Sequence, residues 1–133
     1  MDSLTPEHRS WNMSRIRSKD TAPEKLVRSA LHRMGLRFRL HRSDLPGKPD
    51  IVLPAHKTAV FVHGCFWHRH KGCHLAYTPK TNTAFWQSKF ASNVIRDRVK
   101  ARSLERLGWK VLTVWECQTS DSKALARSLR KLL

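Results

Sequence analysis

The sequence has few acidic residues, few cysteines and no long apolar run, and each shortage excludes a class of protein. No apolar stretch approaches the ~20 residues that a membrane-spanning helix requires. The first residues lack the charged-then-apolar pattern of a secretory signal, so we expect a soluble, intracellular protein. The three cysteines cannot form a closed set of disulfides, because an odd count leaves one thiol over. In a reducing cytoplasm they indicate a metal site or free thiols.

The shortage of acid leaves a strongly basic chain. Ten Asp and Glu face 26 Lys and Arg in 133 residues, which gives a net charge of +16. Such a charge attracts polyanions. The basic residues run from Arg9 to Lys131 and are interleaved with five Trp and five Phe, which is typical of a folded domain rather than a basic tail. The sequence therefore predicts one domain over residues 1–133, with residues 1–19 as an arm, and nucleic acid as its partner.

Hydrophobic periodicity predicts an α/β fold with a small mixed β-sheet flanked by helices on both faces. Thr21-Ala-Pro-Glu24 has the pattern of a capping box and begins the first helix. The two strands on either side of the long helix should be parallel or near neighbours in one sheet, joined by a right-handed crossover. The predicted helices cover 22–34, 82–107 and 120–132, and the predicted strands cover 36–41, 50–53, 58–62 and 109–116.

Two of the three cysteines lie in a short segment that is also rich in histidine. Cys65, His70 and Cys73, with Cys117 from the end of the last strand, supply three thiols and one imidazole. This is the ligand set of a closed structural zinc site, with no open position for a catalytic water. His68 and His74 are alternative fourth ligands, so the choice of histidine stays open here.

Four of the few carboxylates remain as candidates for chemistry, namely Glu24, Asp50, Asp97 and Glu116, and the first three have a specific interpretation. Asp50 opens a buried strand, so its carboxylate should emerge at a sheet edge where a hard cation can bind. Asp97 falls on the apolar stripe of the long helix and needs a partner there. That partner is either an arginine in a structural ion pair or a histidine of an active site. Glu24 is either the acid of the capping box or an active-site residue.

The loop after the third strand combines histidines with aromatic residues. His63 and His68 flank Gly64-Cys-Phe-Trp67, and an imidazole there could act as general base toward a water that attacks a phosphodiester. Phe66 and Trp67 should be either buried by the zinc loop or stacked on a DNA base, since aromatic wedges grip distorted duplexes.

Several motifs together resemble the very-short-patch-repair (Vsr) endonuclease family, whose members nick DNA beside a T:G mismatch. The resemblance covers most of the chain, and the His63-Gly-Cys-Phe-Trp-His68 run is its most specific part. The other motifs are Asn12-Met-Ser-Arg-Ile16, Asp20-Thr-Ala-Pro-Glu24, Leu45-Pro-Gly-Lys-Pro-Asp50, Phe85-Trp86, Asn93-Val-Ile-Arg-Asp-Arg98, Leu107-Gly-Trp109 and Val114-Trp-Glu-Cys117.

The resemblance implies a restriction-endonuclease-like fold and a role for each candidate. Asp50 would bind magnesium with the backbone carbonyl of Val62, His68 and His63 would serve the hydrolysis, and Glu24 would belong to the active site. The implied intercalating wedge is Met13, Phe66 and Trp67, and the implied zinc ligands are Cys65, His70, Cys73 and Cys117. Two departures stand out. Val62-His63 occupies the place of the acidic residue and lysine of restriction enzymes, and the interval from His70 to Cys73 is one residue longer than the family pattern.

The resulting hypothesis is a magnesium-dependent, zinc-stapled hydrolase that nicks one strand of duplex DNA at a T:G mismatch and initiates very short patch repair. In it, Asp97 orients a histidine. A cytoplasmic, nucleoid-associated monomer is expected, with DNA repair proteins as further partners. Two alternatives stay open: a non-catalytic zinc-dependent DNA-binding module, and a restriction or junction-type endonuclease of the same fold.

Overall fold

The computed structural model describes residues 20–133, so Met13 and the arm predicted over residues 1–19 lie outside it. The described chain contains three α-helices and four β-strands. In chain order these are α1 (Ala22–Arg33), β1 (Arg39–Leu40), β2 (Ile51–Leu53), β3 (Thr58–His63), α2 (Thr83–Arg106), β4 (Lys110–Trp115) and α3 (Ser122–Leu132). Among these helices, none has the length and apolar character needed to cross a bilayer.

The four strands form one sheet in the order β1-β2-β3-β4. β1, β2 and β3 are antiparallel neighbours, whereas β3 and β4 pair in parallel from Thr58 opposite Lys110 to His63 opposite Trp115. The long connection between these two strands contains α2, as a parallel pair requires. The prediction of a small mixed sheet is confirmed. The strands before and after the long helix, β3 and β4, are parallel neighbours in it.

Helices cover both faces of the sheet, as predicted. α1 and α3 pack on one face through Val27, Leu31, Leu125 and Leu129, which lie against Ile51, Leu53, Val60, Leu112 and Val114 of the strands. α2 covers the opposite face, where Leu104 packs with Val52, Ala59 and Phe61. All three residues of β2 are fully buried, because both of its faces are covered.

The first strand is shorter than its sequence pattern predicts. Leu36 to His41 alternate in polarity, but only Arg39 and Leu40 pair with β2. Pro49, two residues before β2, has no backbone N–H to donate to a ladder. Leu36 and Phe38 are partly buried against the core, whereas Leu40 is exposed, so the alternation holds for the first two apolar residues and overestimates the ladder.

The start of α1 places Glu24 in an unexpected contact. Thr21 is the N-cap and its hydroxyl accepts from the Glu24 N–H at 3.3 Å, as half of the predicted capping box. The other half differs, because the Glu24 carboxylate accepts from the backbone N–H of Asp20 at 2.9 Å. Glu24 is buried at this end of the helix, where β2 begins and β3 ends.

Candidate functional site

Two histidines and one aspartate meet where β3 leads into the following loop. His63 is the last residue of β3, and the loop returns so that the His68 N–H donates to the Gly64 carbonyl at 3.1 Å. The two imidazole rings stack with centroids 3.8 Å apart and planes 5° apart. His68 Nδ1 lies 2.7 Å from Asp97 Oδ2 on α2. Of the two partners that the sequence left open for Asp97, the structure pairs it with the histidine.

Burial and neighbouring charges shift the pKa values of His63 and Asp97. Burial, with a smaller contribution from the charge of His68, lowers the pKa of His63 to about 4. Burial raises the pKa of Asp97, but the hydrogen bond and charge of His68 outweigh it, so that this pKa lies below its usual value. At neutral pH His63 is therefore uncharged and Asp97 is ionised. An ionised Asp97 favours the proton of His68 on Nδ1, which leaves Nε2 free to accept one.

Asp50 lies immediately before β2 and faces the end of β3. Its Oδ2 accepts from the backbone N–H of Val62 at 2.8 Å, which places the carboxylate one residue from His63. Burial raises the pKa of Asp50 to about 6, the Val62 N–H opposes this shift, and the charge of Glu24 adds to it. Asp50 and Glu24 are thus close enough to repel each other. Oxygen donors crowded in this way suit a hard cation such as magnesium.

Glu24 belongs to a compact group of charges beside Asp50. Its Oε2 accepts from Arg28 Nη2 at 3.1 Å, and the same arginine nitrogen donates to Asp20 Oδ1 at 2.7 Å. His41 Nε2 lies 3.5 Å from Asp20 Oδ1 and 3.7 Å from Glu24 Oε2. Sequence reasoning selected Glu24 but missed Arg28 and His41. The four-residue spacing of Glu24 and Arg28 on one helix face was the available signal.

The structure brings all three cysteines and His70 together. One ligand atom from each of Cys65, His70, Cys73 and Cys117 lies within 4.8 Å of the others. His70 Nδ1 is 3.6 Å from Cys65 Sγ and 3.4 Å from Cys117 Sγ. A tetrahedral zinc site with usual bond lengths separates its nitrogen and sulfur ligands by about 3.6 Å, so the donor set fits zinc.

The alternative histidines are not in this group. His68 is engaged with Asp97, and His74 is exposed to solvent. The His70 ring also stacks on Trp115, with centroids 4.3 Å apart, and Glu116 accepts from the Cys65 N–H at 3.0 Å. Trp115 is the last residue of β4 and Glu116 follows it, so both support the cluster from the neighbouring strand. Sequence reasoning assigned no role to either residue.

Phe66 and Trp67 lie in an aromatic group at the edge of the site. The Phe66 ring contacts Trp67, Tyr77, Trp86 and Phe90 at centroid distances of 4.9–5.7 Å. Both Phe66 and Trp67 remain half-buried, because α2 supports them from below. Arg69 stacks over Phe90 at 3.9 Å and donates to the carbonyls of Ala76 and Tyr77, which fixes the loop. Met13, the third predicted wedge residue, lies outside the described residues.

Comparison with known proteins shows which proteins this chain is similar to. The family model described as DNA mismatch endonuclease Vsr matches residues 1–75. The Type II nicking enzyme V.XorIIP of Xanthomonas oryzae pv. oryzae is 51% identical over 132 residues, covering 99% of this chain and 96% of that protein. The Type II nicking enzyme V.NmeAIP of Neisseria meningitidis serogroup A is 43% identical over 99% of this chain and 94% of its own length. The DNA mismatch endonuclease Vsr of Escherichia coli is 49% identical over 82% of this chain and 69% of its own.

Proposed function

The chain belongs to the Vsr family of DNA mismatch endonucleases, and from this premise we propose that it nicks one strand of duplex DNA at a T:G mismatch and so initiates very short patch repair. The single observation that carries the chemistry is the 2.7 Å contact of His68 Nδ1 with Asp97, beside the Asp50 carboxylate. A restriction-endonuclease-like fold is part of the same proposal and is supported by the mixed sheet with helices on both faces.

His68 is the general base in this proposal. Asp97 holds its Nδ1–H, so that Nε2 can take a proton from the water that attacks the scissile phosphodiester. His63 stacks on His68 and is uncharged at neutral pH because of its burial. A neutral imidazole can hydrogen-bond a phosphate oxygen or the attacking water without competing for the proton. This division of work suits a site in which histidines replace the lysine of restriction enzymes.

Asp50 is the proposed magnesium ligand, with the backbone carbonyl of Val62 as a second oxygen donor and Glu24 as a further acidic member of the site. The two carboxylates suit a divalent cation, because a cation would offset the repulsion between Glu24 and Asp50. That repulsion contributes to the raised pKa of Asp50. Bound there, magnesium would neutralise the charge that develops on the phosphate. The protein's own contribution is to hold Asp50 in place through the Val62 N–H at 2.8 Å.

A structural zinc site formed by Cys65, His70, Cys73 and Cys117 is the second metal of the proposal. The four donors fill a tetrahedron and leave no position for a substrate. Cys65 follows β3 and Cys117 follows β4, so the ion would join the ends of two paired strands. That role fixes the loop that carries His68 and the aromatic group.

Recognition of the mismatch is assigned to Met13, Phe66 and Trp67. Half-buried rings on a supported loop can enter a base step without collapsing onto the protein, and a mismatched step is less costly to unstack than a paired one. An asymmetric lesion needs no two-fold symmetric protein, so we propose a monomer acting on nucleoid DNA in the cytoplasm. DNA repair proteins are the partners expected to use the nick.

A strand-resolved cleavage assay tests the proposal. Duplexes labelled separately on each strand, with a T:G mismatch or fully paired and in several flanking sequences, are incubated with magnesium or with chelator. We expect a magnesium-dependent nick confined to the T strand of the mismatched duplex. Equal cleavage of matched and mismatched DNA would favour a restriction or junction-type enzyme, and binding without cleavage in every context would favour a DNA-binding module.

A further inference from the structure

The Glu24 carboxylate is held in place by groups that have no role in the scheme above. The side chain is only 2% exposed, and its contacts with Asp20 and Arg28 all use one oxygen, Oε2. His41 also approaches Oε2, at 3.7 Å. These groups therefore fix one carboxylate oxygen and with it the direction of the other, Oε1, which none of them engages. His41 in turn donates its backbone N–H to the Asp50 carbonyl at 3.2 Å, and the charge of Glu24 contributes to the raised pKa of Asp50, so this orientation bears on the proposed cation site.

Arg28 makes these contacts while one of its own buried N–H groups stays without a hydrogen-bond partner among the described residues. Its Nη2 atom serves Asp20 at 2.7 Å, Glu24 at 3.1 Å and His41 Nε2 at 3.1 Å, although this nitrogen carries only two N–H groups. Its Nε–H is buried and has no hydrogen-bond partner among the described residues, which is uncommon for buried donors. The position of the guanidinium is thus dictated by the carboxylates and not by its own hydrogen-bonding needs.

The backbone on both sides of this cluster is strained. Asp20 has a φ of 56° and His41 a φ of 47°, in the left-handed region that residues other than glycine seldom adopt. His41 also donates its backbone N–H to the Asp50 carbonyl at 3.2 Å, so it contacts the Arg28 cluster and the Asp50 segment at once. Four other non-glycine residues of the described chain also have a positive φ, so the feature that points to a positioning role is the link between the two segments and not the backbone angle itself.

We propose that Arg28 and His41 are positioning residues that orient Glu24 toward the divalent-cation site at Asp50. The proposal rests on the proposed function in one respect, because that function assigns the cation to Asp50. Arg28 places a positive charge 3.1 Å from the Glu24 carboxylate, and His41 ties this pair to the segment that carries Asp50. Partners that orient ligands in this way affect metal affinity or activity by about 10- to 100-fold when they are removed.

The test measures cation binding directly, so it does not depend on activity. Mn²⁺ is titrated into the full-length, zinc-containing protein and its binding is followed by electron paramagnetic resonance. Wild type is compared with Arg28→Met, Arg28→Lys and His41→Gln, with Arg33→Met as the control at an exposed position of the same helix. Asp20→Asn loosens Arg28 at a partly exposed site and serves if the Arg28 variants fail to fold. Thermal melting and nicking of a T:G duplex across a range of Mg²⁺ concentrations are recorded for each protein.

We expect Arg28→Met to weaken Mn²⁺ binding about tenfold or more and to raise the Mg²⁺ concentration for half-maximal nicking in parallel. Arg28→Lys should restore part of the affinity, and Arg33→Met should match wild type. A lower melting temperature with unchanged Mn²⁺ affinity would assign Arg28 a structural role and overturn the proposal, as would tighter binding or a wild type that binds no Mn²⁺. A wild type that binds Mn²⁺ but nicks no mismatched duplex would refute the proposed function alone.

Discussion

Replacing Asp97 by asparagine removes the negative charge beside the proposed general base, His68, and changes little else. Asparagine has nearly the same size and shape, and Asp97 lies on α2 with its side chain 18% exposed, so the fold should tolerate it. The change affects the 2.7 Å contact with His68 Nδ1. An ionised carboxylate can only accept there, whereas an amide can turn its NH₂ group toward the ring and force the proton onto Nε2.

The size of the effect follows from that contact. A hydrogen bond to a charged group contributes about 1.5–3 kcal/mol, and each 1.36 kcal/mol of barrier corresponds to about a tenfold change in rate. The Asp97→Asn variant should therefore nick about 10- to 150-fold more slowly than wild type. If the amide also imposes the wrong tautomer, the loss should approach the ~10⁴-fold effect of the same substitution in a serine protease triad.

Single-turnover nicking of an end-labelled T:G duplex at saturating magnesium measures this rate without a contribution from product release. The matched control is Glu105→Gln, which makes the same change of charge at an exposed position farther along α2. Mismatch binding and thermal melting should remain close to wild type in both proteins. A nicking rate for Asp97→Asn within twofold of wild type would refute the proposal that Asp97 orients His68 as the general base.

Three further perturbations separate the other parts of the site. Because burial raises the pKa of Asp50 from 3.8 to about 6, the folded protein takes up a proton before the unfolded chain does. Acidification from pH 7 to 4.5 should thus raise the free energy of unfolding of wild type by about 2 kcal/mol relative to that of Asp50→Asn. Urea unfolding of both proteins at the two pH values measures this difference, and a relative decrease for wild type would contradict the raised pKa. Cys117→Ser should reduce bound zinc and lower the melting temperature, because structural zinc binding supplies folding free energy; an unchanged zinc content would exclude Cys117 as a ligand. Trp67→Ala should lower the ratio of mismatched to matched binding by about 5- to 150-fold, as expected for a stacking contribution of about 1–3 kcal/mol, and an unchanged ratio would remove Trp67 from recognition.

The sequence predicted the elements well, because their signals are local. The capping residues of α1, the apolar stripe of α2 and the continuous apolar run of β3 each depend on residues a few positions apart. The pairing of Asp97 with His68 joins residues 29 positions apart. Sequence reasoning recognised that a carboxylate on that stripe needs a partner, but the choice between arginine and histidine depends on how α2 packs on the sheet.

Arg28 and His41 illustrate a second limit. His41 stands at the end of a short edge strand, and only the return of the chain between β1 and β2 brings it to α1. A periodicity argument treats a polar residue at a strand end as solvent-exposed. For Glu24, a capping motif predicts that its carboxylate accepts from the backbone N–H of the N-cap residue, Thr21. It accepts instead from the Asp20 N–H, and Asp20 has a positive φ that no local sequence pattern predicts.

The parallel pairing of β3 with β4 also constrains how the chain can assemble. The first three strands are joined by short connections, so their pairing closes small loops and carries little entropic cost. β4 can join them only after the chain has returned along α2, and the contact of Cys65 with Glu116 spans 51 residues. Long-range pairing of this kind is slow, and until it is made the inner edge of β3 is left open to other chains. The strand that completes the sheet also brings Cys117 to the proposed zinc site, so a nascent chain covers the edge of β3 and gathers the last thiol of the cluster in the same folding step.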